Sequence, residues 1–256
     1  MTLPTAIPKV ETWDRVWERY ETLTEPTTPR LVDTLASLDP KGKLICEVGC
    51  GTGKDSVKLA SMGAKVVSVD FSQSALALVR RKIEPLEGPV PQLLGGDTLN
   101  LPFRDNTFDI MFHQGLLEHF HDPGAVLREQ GRVIKSGGYL LVDVPQRFNW
   151  YAVTKRRQMA RGEWFAGWET DFTLGGLRSV MRRAGFEPVA SYAYGFNPPA
   201  LWVLRHLHEV GEGRFGRPLM PRVLGRMYDA AWRWWEGTDL AGHALVCIGV
   251  LGRKLG

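Results

Sequence analysis

Short apolar runs rich in β-branched residues alternate with segments of helical period through the first 145 residues or so of the chain. Residues 43–48 (KLICEV) predict a first strand, 54–62 a helix stopped by Gly63, and 65–70 (KVVSVD) a second strand. Ser72 then caps a helix running through Leu76 and Val79 to about residue 83, and residues 91–94 predict a short third strand before Gly95-Gly96-Asp97. Residues 108–113 (FDIMFH) predict a fourth strand. Pro123 opens a helix through Val126, Leu127, Val133 and Ile134 that ends at Gly137-Gly138, and 139–144 (YLLVDV) predict a fifth strand. The strands are nearly continuous apolar runs, as expected where helices cover both faces of a parallel sheet. The pattern therefore predicts an α/β fold with a doubly wound sheet.

Beyond residue 145 the pattern loosens. Residues 149–167 are basic and aromatic; DFTLGGLRSVMRRAGFE then reads as a capped helix with Leu177, Val180 and Met181 on one face, followed by a sixth strand over 188–194. Residues 195–242 hold Pro198, Pro199, Pro218 and Pro221 and predict helices near 201–208 and 223–235, a helical insertion before a last strand at 243–252. At the other end, Trp13, Val16, Trp17 and Tyr20 recur at helical spacing. The expected organisation is one domain: an N-terminal helical cap (1–40), a core (41–194), a lid (195–242) and the last strand (243–256).

Charge adds an asymmetry to this picture. The net charge of +4 divides into −3 up to Asp143 and +7 from Val144 onward, and the second part holds seven of the nine tryptophans. The longest apolar stretch, 244–250 (ALVCIGV), is far below the roughly 20 residues of a membrane-crossing helix. The opening MTLPTAIPKVETWD lacks the basic-then-apolar succession that directs export, so a cytoplasmic location is expected. Cys46, Cys50 and Cys247 form no C-x-x-C pair and predict neither disulfide nor structural metal.

The strongest local signal is EVGCGTG, residues 47–53, which leaves the first strand and enters a helix. Glycines 49, 51 and 53 permit a sharp bend and close approach of a ligand to the backbone. The spacing G-x-G-x-G differs from the dinucleotide fingerprint G-x-G-x-x-G, and Asp55 after Gly53-Lys54 removes the P-loop ending G-K-[ST]. Asp70 ends the second strand 19 residues after Gly51, where a carboxylate accepts hydrogen bonds from ribose hydroxyls. With Glu47 beside it and no basic anchor, the seat favours a nucleoside carrying positive charge.

The runs EVGCGTG, VVSVDFS, GGDTLNLPFRDNTFDIMFHQGLLEHF and LREQGRVIKSGGYLLVDVP resemble the class I S-adenosylmethionine-dependent methyltransferases, in particular the branch acting on small molecules and quinones. The resemblance is close over about 45–144 and weaker through FTLGGLRSVMRRAGFE. It implies a Rossmann-like, seven-stranded sheet and S-adenosyl-L-methionine as cofactor, with S-adenosyl-L-homocysteine as product. It also implies that Glu47, Gly49 and Gly51 surround the methionine portion and Asp70 the ribose, with Cys50, Gly53 and Ser72 also in the cofactor site. Phe71, Asp97, Thr98 and Leu99 would then flank the adenine, and His113, Gln114 and Gly115 the sulfonium.

Methyl transfer from a sulfonium is an in-line displacement, so the protein's task is alignment of the acceptor and exclusion of water. The small-molecule acceptor expected is one methylated on oxygen. His119, in HQGLLEHFHD, is the candidate general base. Tyr151, with Arg147 and Trp150 nearby, is the candidate for orienting the acceptor. Related quinone O-methyltransferases carry an E-x-x-E-H stretch associated with a divalent ion; Gly115 stands here in place of the first acid, and no metal is expected. The Trp- and Arg-rich stretch 195–242 is suited to cover the acceptor and to touch a membrane surface, which leaves a membrane-associated lipid or quinone as the alternative acceptor. A non-catalytic, cofactor-binding partner subunit is the other alternative. Nucleic acid is disfavoured, because the fourth strand is followed by HQGL rather than [DNS]PP[YFW], and NPPA at 197–200 has Ala200 where a stacking aromatic is needed.

Overall fold

The computed structural model describes residues 10–18, 28–195 and 245–256; of the lid, 195–242, all but Gly195 lies outside the described residues. Seven strands form one sheet: β1 (Leu44–Val48), β2 (Lys65–Asp70), β3 (Gln92–Gly95), β4 (Phe108–Gln114), β5 (Ile134–Pro145), β6 (Phe186–Tyr194) and β7 (Cys247–Lys254). Their order is β3-β2-β1-β4-β5-β7-β6. β1 through β5 run parallel, and β7 lies antiparallel between β5 and β6. The order reverses between β1 and β4, so the loops at their carboxyl ends diverge and open a crevice.

Alternation along each strand explains the unbroken apolar runs. Ile45, Ile110, Phe112 and Leu141 pack on one face with Leu31, Val32 and Leu35 of helix α2 (Pro29–Ala36) and with Leu59 and Ala60 of α3 (Lys54–Ser61). Their neighbours Cys46, Met111, Leu140 and Val142 pack on the other face with Val126, Leu127 and Val133 of α5 (Pro123–Val133) and Leu177 and Met181 of α7 (Leu174–Arg183). Helix α4 (Gln73–Ile83) lays Leu76 and Val79 against Cys50. Most residues of the central strands β1 and β4 are thus buried whichever way they point, whereas β3 at the sheet edge buries none.

The N-terminal cap resolves into α1 (Val10–Glu18), which buries no residue, and α2, which buries three. Several boundaries depart from expectation, among them the last strand, expected over 243–252 and found at Cys247–Lys254. Helix α5 ends at Val133, and β5 begins at once at Ile134, so Gly137 and Gly138 lie within the strand. The register shifts there between Phe108 and Ile110, and a Cβ on Gly138 would meet Asp109 O at 2.8 Å. The basic 149–167 segment contains a twelve-residue helix, α6 (Trp150–Arg161), capped by the Asn149 side chain accepting from the Ala152 amide at 2.8 Å and ended by Gly162 at φ 69°. Its packing is ionic: fully buried Lys155 pairs with Glu169 and Asp171, each at 2.9 Å. β6 begins at Phe186 and bulges between Pro188 and Ala190.

β7 threads the sheet through close backbone approach. A Cβ on Gly249 would lie 2.1 Å from Cζ of Tyr192, whose hydroxyl donates to Asp143 Oδ2 at 2.8 Å. Gly249→Ala is therefore expected to displace the Tyr192 ring, break that hydrogen bond and destabilise the fold by about 3 kcal/mol, read by urea unfolding; a change within about 0.5 kcal/mol would contradict this packing.

Candidate active site

At the carboxyl ends of β1, β2 and β4 lies a cavity of about 420 Å³. Its floor is the bend after β1. The amides of Gly49 and Cys50 donate to Val69 O (2.8 and 3.1 Å), that of Gly53 to Cys50 O (2.8 Å), and that of Gly51 to Asp70 Oδ2 (2.9 Å). Gly51 adopts φ 49°, and a Cβ there would sit 2.7 Å from the Trp17 indole. These four amides are bonded inside the protein and are not free to bind a pyrophosphate.

Asp70 is the clasp of this arrangement. One carboxylate oxygen accepts from Gly51, the other from the Ser72 amide at 2.9 Å, and the side chain faces the cavity. Burial pushes its pKa up, against the pull of those amides. Glu47, at the end of β1, accepts from Ser56 Oγ at 2.5 Å; burial, reinforced by Asp55, pushes its pKa up to about 8. Asp55, in the first turn of α3, accepts from the Thr28 amide at 2.9 Å.

Beyond β3 the backbone turns tightly at Asp97, whose Oδ1 accepts from the Leu99 amide at 2.9 Å. Phe71 and Leu99 present half-exposed apolar faces to the cavity, and the buried Thr98 Oγ1 has no hydrogen-bond partner among the described residues. At the far end stand Gln114, Gly115 and His119. His119 is buried, with Trp13 edge-on to it at 4.9 Å and Nδ1 3.9 Å from Glu169 Oε1. Burial lowers its pKa, partly offset by Glu169, so the imidazole is neutral at neutral pH. Its neighbour Glu118 is buried beside Glu169, and burial raises its pKa to about 8.

Of the residues expected at the site, Glu47, Gly49, Cys50, Gly51, Asp70, Phe71, Asp97, Thr98, Leu99, Gln114, Gly115 and His119 all line the one cavity. Three do not. Gly53, at φ 60°, is left-handed and packs under Val79, where a Cβ would lie 2.8 Å away. Ser72 caps α4 by accepting from the Ala75 amide at 3.2 Å and donates to Asp14 Oδ1 at 2.6 Å. His113 is fully buried in the interior, where desolvation lowers its pKa to about 3. The side chain of Tyr151, in the first turn of α6, lies outside what the structure describes. Sequence reasoning also missed Trp13, Trp17, Lys54, Asp55 and Phe120 in the wall. Lys54 corrects the expectation that the seat has no basic group. The i, i+4 spacing of Trp13 and Trp17 had marked a helix without revealing where it docks. Among the described residues no group of His, Cys, Asp and Glu could hold a metal ion, and no helix is long and apolar enough to cross a membrane.

Residues 46–142 match the family described as Methyltransferase domain. The chain is 39% identical over 137 residues to the demethylmenaquinone methyltransferase of Corynebacterium kroppenstedtii, covering 51% of this chain and 56% of that protein. It is 33% identical over 148 residues to the phosphatidylethanolamine N-methyltransferase of Cereibacter sphaeroides, covering 55% and 70% respectively. The chain thus spans about half the length of the demethylmenaquinone methyltransferases it matches. Over nearly its whole length the fold is similar to two solved structures. One is a Thermotoga maritima methyltransferase described as a possible histamine N-methyltransferase (TM-score 0.63, 20% identity, 96% of this chain and 100% of that one). The other is magnesium protoporphyrin IX methyltransferase from Synechocystis with bound S-adenosylhomocysteine (TM-score 0.60, 14% identity, 95% and 93%).

Three buried carboxyls, Glu47 and Glu118 raised to about 8 and Asp143 to about 7, hold protons in the folded chain that the unfolded chain releases near pH 4–4.5. From these groups, stability is lost as pH rises toward 8. The depressed His113 and His119 act oppositely, but only below about pH 6.5, where the unfolded chain would protonate them. Between pH 6.5 and 8.5 the thermal midpoint should therefore fall by roughly 5 °C, and Glu118→Gln should flatten that slope; a midpoint that climbs across the window would refute the assignment.

Proposed function

Because the chain belongs to the class I S-adenosylmethionine-dependent methyltransferase family, we propose that it methylates a membrane-associated lipid or quinone. The observation that carries the reading is one mostly apolar cavity joining the acid-lined glycine bend to a buried, neutral histidine. The names of the relatives favour this acceptor over the soluble, O-methylated one expected from the sequence: one acts on a quinone precursor and another on a phospholipid.

The residues present fit S-adenosylmethionine. Glu47, Gly49 and Gly51 would hold its amino-acid end, Asp70 its ribose, and Phe71 with Asp97, Thr98 and Leu99 its base; the partnerless Thr98 Oγ1 is a hydrogen-bonding group in need of such a ligand. When bound, the donor supplies a methyl group on positively charged sulfur. The chain's own work is positional: the bend and the Asp97 turn hold the donor's two ends, and the aromatic wall keeps water from the space between. His119, neutral at working pH, accepts the proton that an acceptor hydroxyl or acidic carbon gives up. Glu169 favours the imidazolium that results.

Incubated with methyl-labelled donor and vesicles of bacterial lipid extract, the protein should place label in the organic-soluble fraction. Label confined to water-soluble products would return the acceptor to the soluble class, and no transfer in any extract would sink the proposal. His119→Ala should lower kcat about 10² to 10⁴-fold while leaving donor affinity within about twofold. An unchanged rate would remove His119 from the chemistry.

A further inference from the structure

Helix α1 does not serve the hydrophobic core. It buries no residue, yet it carries two large aromatics, Trp13 and Trp17, one turn apart on the same face. Their rings stack at 6.3 Å with an interplanar angle of 23°. Both line the cavity. Trp17 lies against Gly51, so close that a Cβ there would collide with it, and Trp13 stands edge-on to His119 at 4.9 Å and to Phe165 at 6.0 Å. The indole pair thus reaches from the glycine bend to the histidine end of the cavity. Asp14, between them in sequence, fixes the helix in place by accepting from Ser72 Oγ at 2.6 Å and from the Ser74 amide at 3.2 Å.

We infer that Trp13 and Trp17 form an aromatic face that recognises the donor's positive charge and distinguishes the charged donor from its product, whose sulfur is neutral. This rests on the family reading of the cavity. The cavity wall holds four carboxyl groups, Glu47, Asp55, Asp70 and Asp97, against Lys54. Burial pushes the Glu47 pKa up to about 8, so its attraction for a cation is incomplete at neutral pH, and burial also raises the pKa of Asp55 and Asp70. An indole face attracts a cation without first losing a proton, and tryptophan does so best among the aromatic side chains. Donor and product share the adenosine and amino-acid contacts, so a π-face is one of the few elements of such a seat that responds to the sulfur's charge.

Calorimetry of the full chain with three ligands tests this: S-adenosylmethionine; sinefungin, which carries an ammonium in place of the sulfonium; and S-adenosylhomocysteine. Trp17→Leu and Trp13→Leu should each weaken the two cationic ligands about fivefold to tenfold. The neutral product should bind within twofold of wild type, and Trp17→Phe should fall between. Because α1 buries nothing, the variants should keep the wild-type melting temperature within a few degrees; the phenylalanine variant retains an aromatic ring should leucine loosen the helix. Equal weakening of all three ligands would reduce the tryptophans to a wall, and no weakening would remove them from recognition; either overturns the inference and leaves the family reading intact. Failure of the wild-type protein to bind any of the three would overturn that reading itself.

Discussion

A hydrogen bond from the Gly51 amide to Asp70 Oδ2 joins the loop after β1 to the carboxyl end of β2, beside the point between β1 and β4 where the strand order reverses. Both groups are buried, so neither finds water if the other moves away. The other oxygen of Asp70 accepts from the Ser72 amide, and Ser72 in turn caps α4 and donates its hydroxyl to Asp14 of α1. One carboxylate thus sets the bend, starts a helix and anchors the helix that bears the cavity's indoles. These bonds tie together the loops that bound the cavity.

Away from that clasp, the carboxyl edge of the sheet is crowded with buried ionisable groups. Asp143 at the end of β5 accepts from the hydroxyls of Tyr192 (2.8 Å) and Tyr194 (3.0 Å), and the Tyr194 hydroxyl accepts from Gln114 Nε2 at 2.6 Å. Lys155 sits between Glu169 and Asp171; burial opposes its charge, but the two carboxylates outweigh that and raise its pKa. Such clusters lend little net stability compared with apolar packing, because desolvation consumes most of the Coulombic gain. Their value is directional: they tie the segment 150–173 against the histidine end of the cavity, where Trp164 Nε1 donates to the same Glu169 that faces His119.

What the sequence made legible follows the same physics. Strands buried on both faces announce themselves as apolar runs, and β1, β2 and β4 lie within a residue of their expected bounds. The glycine bend and Asp70 were legible because few residue types satisfy their geometry. Helix α6 was not, since beside Ala152 its buried contact is the Lys155 ion cluster, which leaves no apolar stripe. The start of β5 was hidden by two glycines that normally stop helices but here serve a register shift. Gly53, Ser72 and His113 share the motifs without sharing the cavity: linear spacing marks the loop, while only the packing of Val79, Asp14 and the sheet interior decides which side chains face inward.

The place of β7 bears on how the molecule comes together. It follows β6 in the chain only after some fifty intervening residues, yet it lies between β5 and β6. Until it arrives, β6 has no ladder to join, and the edge of β5 offers a row of unpaired amides and carbonyls to any extended chain nearby. Closing this gap is a long-range event of the slow kind. During biosynthesis the donor-side half can consolidate early, while the β5 edge stays adhesive until the last strand is inserted, so the molecule's hazard of self-association is concentrated in that interval.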